Sequence, residues 1–283
     1  MDITPLGSLT GGRIELVITD QGAAVKHAGA MYANVGDFII SGNGDLVVAG
    51  GRIRTANDLI VATAGLNMDG GQNGNAQLDA AHDIDIRSGA ITIAATEFAA
   101  GVSSTDASGV ATITQRGNIL LGVDGQAASS STAISASTFH ATGGIGIYNQ
   151  NHALTIDGST FMANENIFLS SRSVALTTHW SGNISQSSAL TSQTGIVGLS
   201  AIEGLHLDGA RIDGAAGTGI DAGSLAMTVS HSANGSAAAK AQLRSAGPPF
   251  LKINSIKRRS SHEARCESYD FCWTGTRVGR LPA

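Results

Sequence analysis

The sequence predicts an all-β protein: a right-handed parallel β-helix, or β-solenoid, over residues 1–239, followed by a tail at 240–283 that is irregular or disordered. Three observations carry this prediction. A short strand motif recurs at steps of about 20 residues. The apolar residues alternate with period two and show no sustained 3.6-residue pattern, which disfavours helical solenoids. The composition combines 37 glycines with 42% hydrophobic but only 4% aromatic residues, as expected for many short strands separated by turns.

The motif is a turn pair followed by apolar, any, apolar. It reads Gly36-Asp37-Phe38-Ile39-Ile40, Gly44-Asp45-Leu46-Val47-Val48, Asn57-Asp58-Leu59-Ile60-Val61 and His82-Asp83-Ile84-Asp85-Ile86. It returns as Gly117-Asn118-Ile119-Leu120-Leu121, Glu165-Asn166-Ile167-Phe168-Leu169, Glu203-Gly204-Leu205-His206-Leu207 and Gly223-Ser224-Leu225-Ala226-Met227. The fourth position takes Asp85, His206 or Ala226 as readily as Ile39, and that tolerance marks a strand buried on one side. The steps are 58 − 37 = 21, 83 − 58 = 25 and 224 − 204 = 20 residues, with wider gaps that hold two turns or an insertion.

Further alternating strands lie between these, at Ile14-Glu15-Leu16, Ile91-Thr92-Ile93, Leu154-Thr155-Ile156 and Val174-Ala175-Leu176, so each unit holds two or three strands. Turn-forming residues separate them, as in Ser41-Gly42-Asn43-Gly44 and Met68-Asp69-Gly70-Gly71, where positive φ or side-chain-to-backbone turns are needed. Strands this short, each ending at a corner, suit coils stacked in parallel, each hydrogen-bonded to the next. At about 4.8 Å per step, some ten coils make a rod on the order of 50 Å long. The alternation points Ile84, Ile86, Leu205 and Leu207 inward and Asp85 and His206 outward.

Charge divides the chain at the same place as the repeat. Met1 to Ala239 carries 8 Lys+Arg and 19 Asp+Glu, net 8 − 19 = −11, whereas Lys240 to Ala283 carries 9 and 3, net +6. Both cysteines, Cys266 and Cys272, lie in the tail, and a long cysteine-free stretch suits a chain exported unfolded. Met1-Asp2-Ile3-Thr4-Pro5 has neither a basic segment nor an apolar run, so an export signal is expected upstream.

The segment Gly12-Arg13-Ile14-Glu15-Leu16-Val17-Ile18-Thr19-Asp20-Gln21-Gly22, continuing through Lys26-His27-Ala28-Gly29 to Gly36-Asp37-Phe38-Ile39-Ile40, resembles the haemagglutinin repeats of filamentous haemagglutinins. The resemblance covers roughly residues 12–235 and rests on repeat style, not on a catalytic motif. It implies the shaft of a two-partner-secretion exoprotein: a secreted or cell-surface adhesin, exported by an outer-membrane transporter partner and attaching to a host or neighbouring cell through a receptor or glycan. The family's secretion domain, with its Asn-Pro-Asn type motifs, is not in this chain. The last 44 residues leave the repeat, as expected of a fragment from an interrupted gene.

Candidate chemical sites each have a plainer reading. His82, Asp83 and Asp85 could form a metal cluster, but Asp83 fills the turn position and Asp85 alternates outward, so they need not converge. Gly70-Gly71-Gln72-Asn73-Gly74-Asn75 matches a calcium-binding nonapeptide only loosely and once. Cys266 and Cys272 suit a small disulfide loop and complete no zinc pattern. Lys257-Arg258-Arg259 reads as a solvated tail, with no nucleic-acid partner expected. The Ser/Thr-rich segment Ala127 to Thr142 reads as a polar coil surface or receptor-contacting loop. No catalytic, cofactor or metal residue is therefore assigned, and the chain reads as a non-enzyme. The alternatives are a carbohydrate-active β-helix enzyme, which needs convergent carboxylates, and a fragment without function of its own.

Overall fold

The computed structural model describes residues 1–71, 76–105, 111–123, 131–232, 235, 237–247 and 249–257. It is an all-β parallel β-solenoid of about nine turns. Every coil has three strands on three faces, and each face is a parallel sheet running along the axis. The first coil shows the order: Asp2–Ile3 on the first face, Ser8–Gly11 on the second and Ile14–Ile18 on the third. The second face is a separate ten-stranded sheet from Ser8–Gly11 to Gln242–Ser245. The nine steps between its strands, at about 4.8 Å each, span roughly 43 Å.

The repeated motif turns out to occupy two faces. Phe38–Gly42, Leu59–Thr63, Ile84–Ser88 and Ile119–Val123 are successive strands of the third face. Asp45–Ala49 belongs to the first face, paired with Ala24–His27 and Gly65–Asp69. The inward residues are as the alternation predicts: Ile84, Ile86 and Leu207 are 0% exposed and Leu205 is 2% exposed. Asp85 is half-buried and His206 is exposed on the outside.

The second face follows a subtler rule, one large inward residue and then a small one two places on. Leu9, Met31, Ile53, Leu78, Phe98, Phe139, Phe161, Leu190, Ile212 and Leu243 stack in register down the interior. Phe98, Phe139 and Phe161 lie nearly parallel, with ring centroids 4.4 Å apart in both pairs. The accompanying column is small, with Ala33, Thr55, Ala80, Ala100, Ala141, Ala163 and Ser192, because the chain turns sharply into the third face there. Thr55 Oγ1 donates to the Gly36 carbonyl at 2.7 Å across that turn.

Coil length varies only through insertions. From Phe139 to Phe161 is 161 − 139 = 22 residues, whereas Phe98 to Phe139 is 41 and Phe161 to Leu190 is 29. The longer coils extrude antiparallel hairpins: Val102–Thr105 with Ala111–Gln115, and the end of Ile167–Ser181 with Ile184–Ser187. A third joins the end of Gly217–His231 to Ala238–Lys240.

The strands do not stop at the expected boundary of residue 239. Gln242–Ser245 pairs with Arg211–Gly214, and Phe250–Lys257 pairs with Gly217–His231. Leu243 and Ile253 supply inward residues that pack on the core, so this stretch keeps the repeat despite its basic side chains. Leu251 is the register partner of fully buried Ile220, yet it is 54% exposed because no described coil covers it.

Candidate functional site

Among the described residues, two outward groups of side chains carry the most chemistry. The first is a ladder at the corner entering the third face. Asp37 Oδ1 accepts from the Asp58 backbone N–H (3.4 Å), Asp58 Oδ1 from Asp83 (3.0 Å), and Asp83 Oδ1 from Asn118 (2.7 Å). Asn118 Oδ1 accepts from Gly144 (2.9 Å), and Asn166 does the same for Ile196 (2.9 Å). Asp and Asn are demanded here because a short acceptor on each coil satisfies an N–H of the next.

His82 sits within that ladder, its Nδ1 2.6 Å from Asp58 Oδ1 and 3.9 Å from Asp83 Oδ2. Asp58, His82 and Asp83 thereby bring one potential ligand atom each within 4.8 Å of one another. Asp85 is not among them: it faces away and takes hydrogen bonds from Arg87 at 3.3 and 3.1 Å. The hydrogen bond to Asp58 and the charge of Asp83, opposed by burial, hold the His82 pKa above its usual 6.5. Asp58 Oδ1 and Asp83 Oδ1 each also accept a backbone N–H, from Asp83 and Asn118, and Asp83 Oδ1 takes a further hydrogen bond from Asn118 Nδ2 at 3.0 Å.

The second cluster is a groove of about 650 Å³ along the second face. Its floor is one outward column in strict register, Tyr32, Arg54, Asp79, Ala99 and His140, on five successive coils. Val102 and Ser103, at the start of the first hairpin, form one wall. Arg52, from the neighbouring column, binds Asp79 through Nε (2.9 Å) and a close Nη2 contact. Arg54 is exposed and has no hydrogen-bond or ion-pair partner among the described residues, and the same holds for the His140 ring.

The sequence reading passes over this groove because its residues stand 20 to 41 positions apart and look like scattered single charges. The signal that finds it is the second-face rule of a large then a small residue: aligning Met31, Ile53, Leu78, Phe98 and Phe139 also aligns the outward residue after each.

Of the other sequence candidates, Gly71 donates its N–H to Asp69 Oδ1 at 2.8 Å, and residues 72–75 lie outside the described residues. Cys266, Cys272, Arg258, Arg259 and residues 127–130 lie outside them as well. The rest of the Ser/Thr-rich segment is ordinary coil: Thr132–Ser135 and Thr138–Ala141 are strands of the first and second faces. No protein-family model, curated protein or solved structure matches the chain.

Proposed function

We propose that the chain is a length of shaft from a secreted, surface-exposed exoprotein of the haemagglutinin-repeat type, and that it attaches cells through its outer faces. The observation that carries this reading is the unbroken inward stack on all three faces while insertions leave only at corners. Such a rod transmits position along its axis and displays side chains at fixed intervals, which suits many weak contacts acting together. Residues 12–40, on which the repeat resemblance rests, form the opening coils of that stack. An outer-membrane transporter would export the full-length protein.

The test is attachment of cells to surfaces coated with the purified chain. Saturable binding that soluble chain inhibits is expected. Attachment no greater than to an albumin coat would overturn the reading. A second reading, a carbohydrate-active enzyme, is favoured by the presence of Arg54, Asp79 and His140 along one groove, although Asp79 is held by Arg52. Release of reducing ends from a polysaccharide would put that reading first.

A further inference from the structure

We propose that the second-face groove is a binding site for an extended acidic glycan, a polysaccharide whose sugars carry carboxylates. This rests on the reading of the outer faces as adhesive and names the ligand of one of them.

The shape comes first. The five floor residues from Tyr32 to His140 are separated by four strand steps, about 19 Å in all, so the groove is straight and runs along the axis. At its fourth position the floor falls to Ala99, between Asp79 on one side and His140 on the other. A linear polymer lying along the rod fits this outline better than a compact ligand does.

Charge then narrows the chemistry. Arg52 neutralises Asp79, and Glu97 in the adjacent column takes a hydrogen bond from Gln77 at 3.1 Å. Arg54 is left as an uncompensated guanidinium on a stretch of chain whose net charge is −11 from 8 basic and 19 acidic residues. Its fork is matched by a carboxylate.

The alternative of a peptide is disfavoured on different grounds. A peptide strand would add to a free sheet edge, but the strands under the groove are paired on both sides. Tyr32 instead offers a flat apolar ring with a polar tip, suited to the face of a sugar. The imidazole of His140 and the amide of Asn34 line the same groove and are free to meet hydroxyl groups.

The experiment is equilibrium binding of the intact chain to oligomers of galacturonate, alginate and hyaluronan, with amylose of equal length as the neutral control. At least one acidic oligomer is expected to bind and amylose not. Arg54→Gln and Tyr32→Ala are each expected to raise Kd about tenfold or more with an unchanged circular dichroism spectrum, while Arg211→Gln, near the far end of the same face, leaves it within twofold. Added salt is expected to weaken binding, less so in Arg54→Gln. Failure of all three acidic oligomers, equal binding of amylose, or an Arg54→Gln variant that binds as wild type would each overturn the proposal. Cell attachment that persists in Arg54→Gln separates the two readings, since the shaft would then stand without this ligand.

Discussion

Residues 1–100 and residues 145–231 build the same coil in two ways. In the first region the corner between the third and first faces is a discrete turn between separate strands. Gly42 there has φ 141°, and a Cβ at that position would sit 2.0 Å from the Ile18 carbonyl oxygen. In the second region single strands such as Ile145–Asp157 and Ile167–Ser181 run through that corner, and the pairing skips residues between Asn149 and Ala153. Side chains brace this corner in the second region, as Thr63 Oγ1 and Ser88 Oγ do in the first by donating to the Gly65 and Ala90 carbonyls at 3.1 Å. Asn149 Nδ2 donates to the Ala153 carbonyl at 3.2 Å, and Ser171 Oγ donates to the His152 carbonyl at 2.5 Å. Nothing changes inside: Ile40, Val61, Ile86, Leu121 and Ile147 continue one column from the first region into the second. The difference teaches that the inward columns specify the coil, whereas a corner needs only some means of reversing the chain and satisfying its N–H and carbonyl groups.

If that is so, an inward charge should be equally ruinous in both regions. Ile86→Asp and Leu207→Asp each place an unpaired carboxylate at a fully buried site, with an expected loss of more than about 4 kcal/mol or failure to fold. Chemical denaturation of the two variants measures it. A tolerated substitution in either region would break the equivalence.

Corner substitutions should then separate the regions. Gly42→Ala combines positive φ with a backbone clash and is expected to cost about 2–3 kcal/mol. Asn149→Ala removes the brace and is expected to cost about 1–2 kcal/mol. Equal sensitivity of the two corners to alanine would show that they are not built differently.

Such reasoning also says how much was legible in the sequence. Strands with two large inward residues, such as Leu46-Val47-Val48, announce themselves through alternation. Second-face strands such as Arg52–Thr55 and Gln242–Ser245 carry one large residue beside a small or hydroxyl one, which alternation barely registers, so the last coil escapes notice in a basic stretch. The ladder is half visible: Asp and Asn recur at the turn position, but that Asp58 and not Asp85 joins His82 depends on the step between coils. The groove is least visible, since it needs the register of five coils at once.

Hairpins test the freedom of the corners from the other side. At the corner between the first and second faces, Asp157-Gly158-Ser159 turns tightly with φ 56° at Gly158, whereas the next coil spends residues 178–187 on a hairpin before Ser188. Replacing 178–187 by one glycine gives Thr177-Gly-Ser188, the same turn. It removes the hydrogen bonds from Trp180 Nε1 to Ser230 Oγ (2.7 Å) and from Thr178 Oγ1 to the Asp208 carbonyl (3.0 Å) and the His179–Asp157 contact (2.9 Å), and the expected loss is no more than about 2–3 kcal/mol with the coil intact. Loss of the β signal in circular dichroism would show the hairpin to be integral.

Within the first region, pH sets the interior against the corner. Burial pushes His27 below its usual 6.5, opposed by its contact with the Arg52 carbonyl, and its Nδ1 is buried without a partner. Because the folded state resists its protonation, its contribution is complete above 6.5 and is lost as pH falls from there through its lower folded value. His82 is raised, so its contribution is complete below 6.5 and is lost as pH rises through its higher folded value. Denaturation from pH 5 to 8 is expected to show less acid destabilisation in His27→Leu and less alkaline decline in His82→Gln. The opposite assignment would place the two imidazoles wrongly.

The most direct test of the account is its register across the longest insertion. Thr92 and Ala133 are outward register partners 133 − 92 = 41 residues apart, and Thr155 is the partner of Ala133 one coil further on. With Cys266 and Cys272 replaced by serine, Thr92→Cys/Ala133→Cys is expected to form a disulfide under mild oxidation. Thr92→Cys/Thr155→Cys, two strand steps or about 9.6 Å apart, is expected not to. Bridging of the second pair but not the first would contradict the parallel stack on which the shaft and its groove depend.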